Sequence, residues 1–310
     1  ISQLSTQLKK SKDKNLEGQL AGLEDLIAEL KTSNQGNVQQ LAVYQAQDKQ
    51  RKLRTPTVIN KNNKHFDKEA QSAGITAVTG ASTVPALSSA VLSHFQAQGM
   101  VSFDEVKYGV SPGQKTDRGL ATAQAVLSYI GQPIKTPQGH NHGWQNLYLQ
   151  EYPEISNRLM GNCEVPDLDL LPEFYSIKKL SFSAGMESKL LHMGIWLCSW
   201  LVRMGLPLKL SKHAIFWMKL SRYFDALGSD DGGMHVLAKG RDTQGRIIEK
   251  KWFIVAKGGD GPYIPTIPSV ILADKLIHEK IHTEGVIPCV GLIDLQGYLD
   301  ELSPFQVTTH

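Results

Sequence analysis

The stretch "MHVLAKGRDTQGRIIEKKWFIVAK" constrains the fold more than any other part of this 310-residue chain. Two strand-like runs flank the turn-forming residues 242–245, and this order predicts a β-hairpin. A hairpin pairs its strands antiparallel, so it argues against a purely parallel, doubly wound sheet. Helical patterns occur on both sides of it, as in residues 268–277, which begin with a proline. The sequence therefore predicts an α+β fold, with a mainly antiparallel sheet packed with helices.

The first 66 residues differ in composition from the rest of the chain. Residues 16–30 carry leucines and an isoleucine at helical intervals, with acidic residues on the other side, which indicates one amphipathic helix. Residues 31–66 are polar, basic and rich in Asn and Gln, so they bury too little apolar surface to offset the entropy of ordering. We therefore predict a partly disordered segment over residues 1–66 and a regular domain over residues 67–310.

Charge and cysteine usage argue against several classes of protein. Residues 1–64 hold 11 Lys and Arg against 6 Asp and Glu, but no aromatic residues interleave with them and no nucleic-acid recognition motif accompanies them. The widely spaced Cys163, Cys198 and Cys289 form no Cys-x-x-Cys pair, so neither a zinc ribbon nor a disulfide framework is indicated. With no secretory signal pattern at its start, the chain is expected to be cytoplasmic and to bind no nucleic acid.

One segment, residues 190–208, is apolar enough to raise the question of a membrane. His192 and Arg203 interrupt it, and the uncharged run that remains is well short of the roughly 20 residues that span a bilayer. We therefore predict no membrane span and a buried helix, with a peripheral membrane helix as the alternative. The residues at helical spacing that carry this prediction are Leu190, Gly194, Leu197, Leu201 and Met204.

The stretch "ITAVTGASTVPALSSAV", residues 75–91, has the order strand, loop, helix. A dinucleotide site of that form needs Gly-x-Gly-x-x-Gly, whose glycines let a pyrophosphate approach the helix N-terminus. The loop here has one glycine in six residues, and the phosphate-binding pattern Gly-x-x-x-x-Gly-Lys-Ser/Thr occurs nowhere in the chain. The loop is therefore not a nucleotide site by itself.

Residue type leaves two roles open for the polar residues of such loops. Ser82 and Thr83 either cap the helix that follows or donate hydrogen bonds to a ligand. Asp260, in "GGDGPY", either organises its own turn or contacts a ligand amide. His140 and His142 share a face if they lie on a strand, but no further ligand completes a metal site, so an exposed loop without metal is predicted.

From residue 66 to residue 302 the chain resembles the saccharopine dehydrogenase family, particularly its bacterial saccharopine dehydrogenase-like oxidoreductases. The segments that carry the resemblance are "DKEAQSAGITAVTGASTVPALSSAV", "GWQNLYL", "NCEVPDLDLLPEFY", "FSAGMESKLLHMGIWLCSWLVRMG", "SRYFDALGSDDGGMHV", "GGDGPYIPTIPSVILADKL" and "IPCVGL". The resemblance implies an N-terminal Rossmann domain that binds NAD or NADP, followed by an α+β domain that carries dimer and substrate-side surfaces.

The resemblance also implies where the ligands bind. The "GASTVP" loop would face the nicotinamide end of the cleft, and the "GGDGPYIP" segment would return the chain toward the nucleotide domain. The catalytic residues are not assigned, and the cofactor-binding residues implied are Gly80, Ser82, Thr83, Pro85, Gly258, Asp260, Gly261 and Tyr263.

The chain departs from the family in its first 66 residues. The family's first strand and glycine fingerprint have no counterpart there, so we expect a truncated Rossmann remnant and impaired binding of NAD(P). The activity implied is hydride transfer at a carbon–nitrogen centre of a small molecule, by a possible homodimer. The alternative is a non-catalytic dimerisation or interaction module derived from the same family.

Overall fold

A computed structural model describes residues 66–278, 280, 281 and 283–310, all of which belong to one unit of the chain, Arg54–His310. The helix predicted over residues 16–30 lies outside the described residues, as does all but the last residue of the remnant predicted over residues 1–66. Residues 66–72 are helical, and the chain turns at Gly74, whose φ of +63° is in the left-handed region that favours glycine.

Strands and helices alternate irregularly along the described chain. The α-helices after the first strand are α1 (Ser88–Ala97), α2 (Leu120–Ser128), α3 (Asp167–Tyr175), α4 (Lys189–Arg203), α5 (Ala214–Arg222), α6 (Ile267–Ile277) and α7 (Leu295–Leu302). The strands are β1 (Thr76–Thr79), β2 (Met100–Ser111), β3 (Pro133–Thr136), β4 (Gly139–His142), β5 (Tyr148–Gln150), β6 (Arg158–Asn162), β7 (Lys179–Met186), β8 (Gly232–Asp242), β9 (Ile247–Ala256), β10 (Gly285–Pro288) and β11 (Val307–Thr309).

The main sheet has the strand order β11-β9-β8-β2-β7-β6-β5. Its central strand β2 pairs antiparallel with β8 on one side and parallel with β7 on the other. The sheet is therefore mixed, and the prediction of a mainly antiparallel sheet is wrong. The reason is the connection between β2 and β7, which is long enough to bring the chain back to the same end of the sheet before β7 begins.

The predicted hairpin is confirmed as β8 and β9. Gly232 pairs with Ala256 at the open end, and Arg241 pairs with Ile247 next to the turn. The carboxylate of Asp242 holds the turn, because its Oδ1 accepts from the backbone N–H groups of Gln244 and Arg246, at 2.9 Å each. Local residue chemistry thus decides this part of the fold.

Two small sheets accompany the main one. Strands β3 and β4 form an antiparallel pair. Strands β1 and β10 run parallel, with Thr76 opposite Gly285 and Thr79 opposite Pro288. The backbone N–H of Cys289 donates to the carbonyl oxygen of Thr79 at 2.8 Å, so the pairing continues to the carboxyl end of both strands.

The main core lies where the central strands meet helices α1 and α3. Leu87, Val91, Leu92 and Phe95 pack from the first of these helices and the turn before it, and Leu171 packs from the second. On the sheet side the fully buried residues include Phe103, Val106, Tyr108, Leu180, Phe182, Val236 and Ile254.

Helix α4 is oriented opposite to the prediction. Its apolar stripe faces outward: Leu190, Leu197 and Met204 are 70%, 54% and 67% exposed. Its buried residues are the polar His192 and Ser199, which lie on the side that packs against β6 and β7. The prediction of a buried apolar helix is therefore wrong. Among the described residues, no helix is both long and apolar enough to cross a lipid bilayer.

The position of Gly109 in β2 leads to a prediction about stability. A Cβ atom at Gly109 would lie 2.5 Å from the carbonyl oxygen of Ser183 and 2.9 Å from Cε1 of His235. We expect Gly109→Ala to lower the free energy of unfolding by about 1–3 kcal/mol, because the strands cannot separate without losing their pairing.

The matched control is Gly194→Ala in α4, where a Cβ atom would meet nothing within 4 Å. Alanine at an exposed helical position should raise the free energy of unfolding by roughly 0.5–1 kcal/mol. Denaturant unfolding of the two variants beside the wild type measures both changes. Equal effects of the two substitutions would contradict the crowding argument.

Candidate functional site

The first candidate segment is the loop at the carboxyl end of β1. Gly80 has a φ of +74°, and a Cβ atom there would lie 2.7 Å from Cδ of Pro85. Pro85 itself is buried, whereas Ser82 and Thr83 are partly exposed. Glycine is therefore required at this position both by its backbone conformation and by the proline packed against it.

Of the two roles left open for Ser82 and Thr83, capping of the following helix is not observed. Residues Thr83–Leu87 form a wide helical turn in which Val84 has an extended backbone (φ −120°, ψ 121°), and no side chain caps it. Helix α1 begins only at Ser88, also without a side-chain cap. The hydroxyl groups of Ser82 and Thr83 thus have no hydrogen-bond partner among the residues the structure describes.

The second candidate segment, residues 258–263, divides into two parts. Gly258 lies against Gln306: a Cβ atom there would be 3.0 Å from Oε1 of Gln306. The carboxylate of Asp260 accepts from the backbone N–H of Gln306 at 2.7 Å. These two residues therefore hold the C-terminal segment in place, which agrees with a structural role for Asp260.

The remainder of that segment meets the first loop. The turn Gly261–Thr266 packs against the turn Thr83–Leu87, and Ser269 Oγ donates to the carbonyl oxygen of Ala81 at 3.3 Å. Tyr263 is partly exposed and stacks on Phe305, with ring centroids 4.4 Å apart. The structure thus brings Gly261 and its turn toward the Gly80 loop and leaves Tyr263 about half exposed, at 48%.

A buried carboxyl group lies beneath the first loop, and the sequence analysis missed it. Asp167, at the start of α3, is completely buried, and its Oδ2 accepts from Ser88 Oγ at 2.5 Å. The Tyr108 hydroxyl faces the same group, but neither it nor Asp167 Oδ1 has a partner at hydrogen-bond distance among the described residues. Burial raises the pKa of Asp167 to about 7. Asp167 lies between Glu164 and Asp169 in the sequence, so no sequence signal distinguishes it from its acidic neighbours.

A second buried polar cluster, also missed, lies on the other face of β2. Nδ1 of His235 is 2.7 Å from the Tyr152 hydroxyl, and its Nε2 is 3.2 Å from the Tyr148 hydroxyl. Burial lowers the pKa of His235 to about 3, so the imidazole is neutral and has one donor and one acceptor nitrogen. Two hydroxyl groups, each able to donate or accept, satisfy such a ring completely. The cluster is a stable hydrogen-bonded unit.

The other candidate groups do not form a reactive centre. His140 and His142 lie two residues apart on β4, rather than on the predicted loop, and the described residues contain no group of three metal-ligating side chains. Cys289, which follows β10, is buried, and burial raises the pKa of its thiol to about 11. A thiol that is protonated at neutral pH is a poor nucleophile.

No family model matches the chain, and no curated protein matches it. Among solved structures, the chain is similar to an apo, histidine-tagged saccharopine dehydrogenase (L-Glu forming) from Saccharomyces cerevisiae. The identity is 9%, the match covers 80% of this chain and 77% of that one, and the TM-score is 0.48.

The buried Asp167 gives a testable pH dependence. Its pKa is about 7 in the folded protein against an ordinary value of 3.8, so the folded state favours the protonated form. This contribution to stability is present below about pH 4 and is lost as the pH rises through 7. Asp167→Asn keeps the shape and cannot ionise. We therefore expect the variant to gain stability relative to wild type across this range, by up to about 4 kcal/mol at pH 8.

Denaturant unfolding of both proteins at several pH values measures this difference. His235 changes stability in the opposite sense, since its lowered pKa removes stability as the pH falls from about 6.5 toward 3. Because that contribution is common to both proteins, it cancels in the comparison. A difference that does not vary between pH 4 and pH 8 would show that Asp167 is ionised throughout.

Proposed function

We propose that this chain is an oxidoreductase of saccharopine dehydrogenase type, in which the Gly80–Pro85 loop contacts the nicotinamide end of NAD or NADP. The observation that carries the proposal is the pair of partly exposed hydroxyl groups, Ser82 and Thr83, with no partner among the described residues. They follow the carboxyl end of β1, which pairs parallel with β10. Ligands of open α/β sheets bind outside the carboxyl ends of parallel strands.

The residues present fit one end of a dinucleotide better than the other. Hydroxyl groups at Ser82 and Thr83 suit the carboxamide and ribose of a nicotinamide nucleotide, which offer both donors and acceptors. Tyr263 supplies an exposed ring at the adjoining segment. The 310-residue sequence contains no Gly-x-Gly-x-x-Gly, so a glycine cradle for the pyrophosphate is missing from this chain. We therefore propose weak binding, dominated by the nicotinamide end.

The reaction proposed is transfer of a hydride between the cofactor and a carbon–nitrogen centre of a small molecule. The cofactor supplies the hydride chemistry when bound, and the protein positions it and the substrate. In this proposal Gly80 and Pro85 fix the loop, Ser82 and Thr83 orient the ring, and Gly261 and Tyr263 border the cleft. Gly258 and Asp260 contribute indirectly, because they contact Gln306 rather than the cleft.

The second candidate is a non-catalytic dimerisation or interaction module with the same fold. The missing glycine fingerprint favours it, and so does the use of Asp260 as a structural tie to Gln306. The two candidates differ in one measurable property, because the module needs no cofactor.

Titration of the full chain with NADPH and with NADH, followed by cofactor fluorescence, separates them. We expect saturable binding of at least one cofactor, in or above the micromolar range. Ser82→Ala and Thr83→Val should each weaken it by about five- to tenfold, the effect of one lost hydrogen bond. Neither substitution should change the free energy of unfolding by more than about 0.5 kcal/mol, since neither hydroxyl has a partner among the described residues.

The matched control is Ser128→Ala on α2, where the hydroxyl donates to the carbonyl oxygen of Ala125 within its own helix. It should leave cofactor binding unchanged. Saturable binding that neither loop substitution alters would contradict the role given to the loop. Failure of the folded wild-type chain to bind either cofactor would favour the non-catalytic module.

A further inference from the structure

The surface formed by α4 and the chain that follows it exposes many large apolar side chains. We call the exposed side chains of residues 189–224, together with that of Leu227, the helical apolar surface. On α4 the exposed side chains are spaced three or four residues apart, so they form one stripe along the helix. The large exposed apolar residues of this surface are Leu190, Met193, Leu197, Trp200, Met204, Leu206, Leu208, Ile215, Phe216, Leu220, Tyr223 and Leu227.

The charges on this surface are all of one sign. Residues 188–224 contain six Lys and Arg and no Asp or Glu. All six basic side chains are exposed: Lys189, Arg203, Lys209, Lys212, Lys219 and Arg222. An apolar face combined with exposed cations is the composition of helices that lie in the interface of an anionic membrane.

The neighbouring acidic residues neutralise at most one of these six cations. Glu187 points inward, where it accepts from the backbone N–H groups of Gln114 and Ser229 at 2.8 and 2.9 Å. Asp225 accepts from the side chain of Gln114 at 2.9 Å. Asp117 forms an ion pair with Arg222 at 3.9 Å, and both side chains are largely exposed to solvent. The other five basic side chains form no ion pair among the described residues, although Arg203 donates to Oε1 of Gln145 at 2.7 Å, so most of the positive charge is available to an external anion.

We propose that the helical apolar surface binds peripherally to an anionic lipid surface, with α4 lying parallel to it. Helix α4 has 15 residues and is thus roughly 22 Å long, too short to span the hydrocarbon core but long enough to lie along its boundary. Its outward apolar stripe enters the acyl region, while the basic side chains reach the headgroups.

A second copy of this chain fits the same surface less well. A twofold interface places the same patch on both subunits, so the six cations of one copy would face the six of the other. The patch contains no acidic residue to pair with them. An anionic lipid surface supplies the opposite charge and, unlike a protein groove, accommodates apolar side chains without a fixed complementary shape.

Co-sedimentation of the full chain with lipid vesicles tests the proposal. At about 0.1 M salt we expect binding to phosphatidylcholine vesicles that contain roughly one third phosphatidylglycerol, and far less binding to phosphatidylcholine alone. Raising the salt to about 1 M should weaken binding, because the charges are exposed and are screened. Circular dichroism and thermal unfolding confirm that every protein used is folded.

Two sets of variants identify the surface. Replacing Lys209, Lys212 and Lys219 by Gln should weaken binding to the anionic vesicles by roughly a hundredfold, at about fivefold per charge. The control replaces Lys179, Lys239 and Lys251 by Gln, which removes the same charge from exposed positions of β7, β8 and β9. This control should bind almost as the wild type does.

The second set tests an apolar side chain. The test variant is Leu197→Ser on α4, where the side chain is 54% exposed, and its control is Leu149→Ser on β5, where the side chain is 53% exposed. Only Leu197→Ser should weaken binding, by about tenfold. The proposal is overturned if the folded wild type does not bind anionic vesicles, or if each test variant binds them as tightly as its control variant does. A third outcome would also overturn it: sedimentation equilibrium shows that the wild type is a dimer that does not bind lipid, and that Leu197→Ser dissociates this dimer.

Discussion

The pairing of β2 with a parallel strand on one side and an antiparallel strand on the other is the constraint on which the described fold depends. Gly109 lies at the point where both ladders meet, and the carbonyl oxygen of Ser183 and the ring of His235 occupy the space that a side chain would need. Because neighbouring residues of a strand point to opposite faces, Tyr108 and Gly109 separate two different polar environments. The Tyr108 side carries α1 and α3, and the Gly109 side holds His235 between two tyrosines.

The candidate loop depends on the first of these environments. Ser88 begins α1 and donates to the buried carboxyl group of Asp167, so α1 and α3 are joined beneath the wide turn Thr83–Leu87. The turn is held from below by this contact and from the side by the carbonyl of Ala81, which accepts from Ser269. Ser82 and Thr83 are partly exposed, and their hydroxyl groups have no partner in the part of the chain that the structure describes. A rigid support beneath unpaired polar groups is what a ligand-binding loop requires.

Local features of this fold follow from sequence, and features that join distant residues do not. The hairpin β8–β9 was predictable because Asp242 and Gly245 decide the turn within a few residues. The partner of β1 is β10, more than 200 residues further along, and nothing in either strand specifies the other. The cap considered for Ser82 or Thr83 does not form because Val84 has an extended backbone, which residue type alone does not reveal. Asp167 was missed because its environment comes from three separate elements.

Helix α4 shows a different limit, since its periodicity was identified correctly and its orientation was not. A hydrophobic stripe indicates that one face of a helix avoids water, but it does not say what covers that face. Here His192 is the side chain that faces the sheet, and its two ring nitrogens have no partner among the described residues. Burial lowers the pKa of His192 to about 4.

Close packing accounts for part of this orientation. A Cβ atom at Gly131 would lie 2.3 Å from the carbonyl oxygen of Ser199, and one at Gly161 would lie 3.3 Å from Nε2 of His192. The small and polar face of α4 therefore lies against the neighbouring backbone, where leucine side chains would not fit without displacing it. The exposed leucines of α4 and the hydroxyl groups of Ser82 and Thr83 share one property: the described residues hold both sets of groups in place but provide no partner for them.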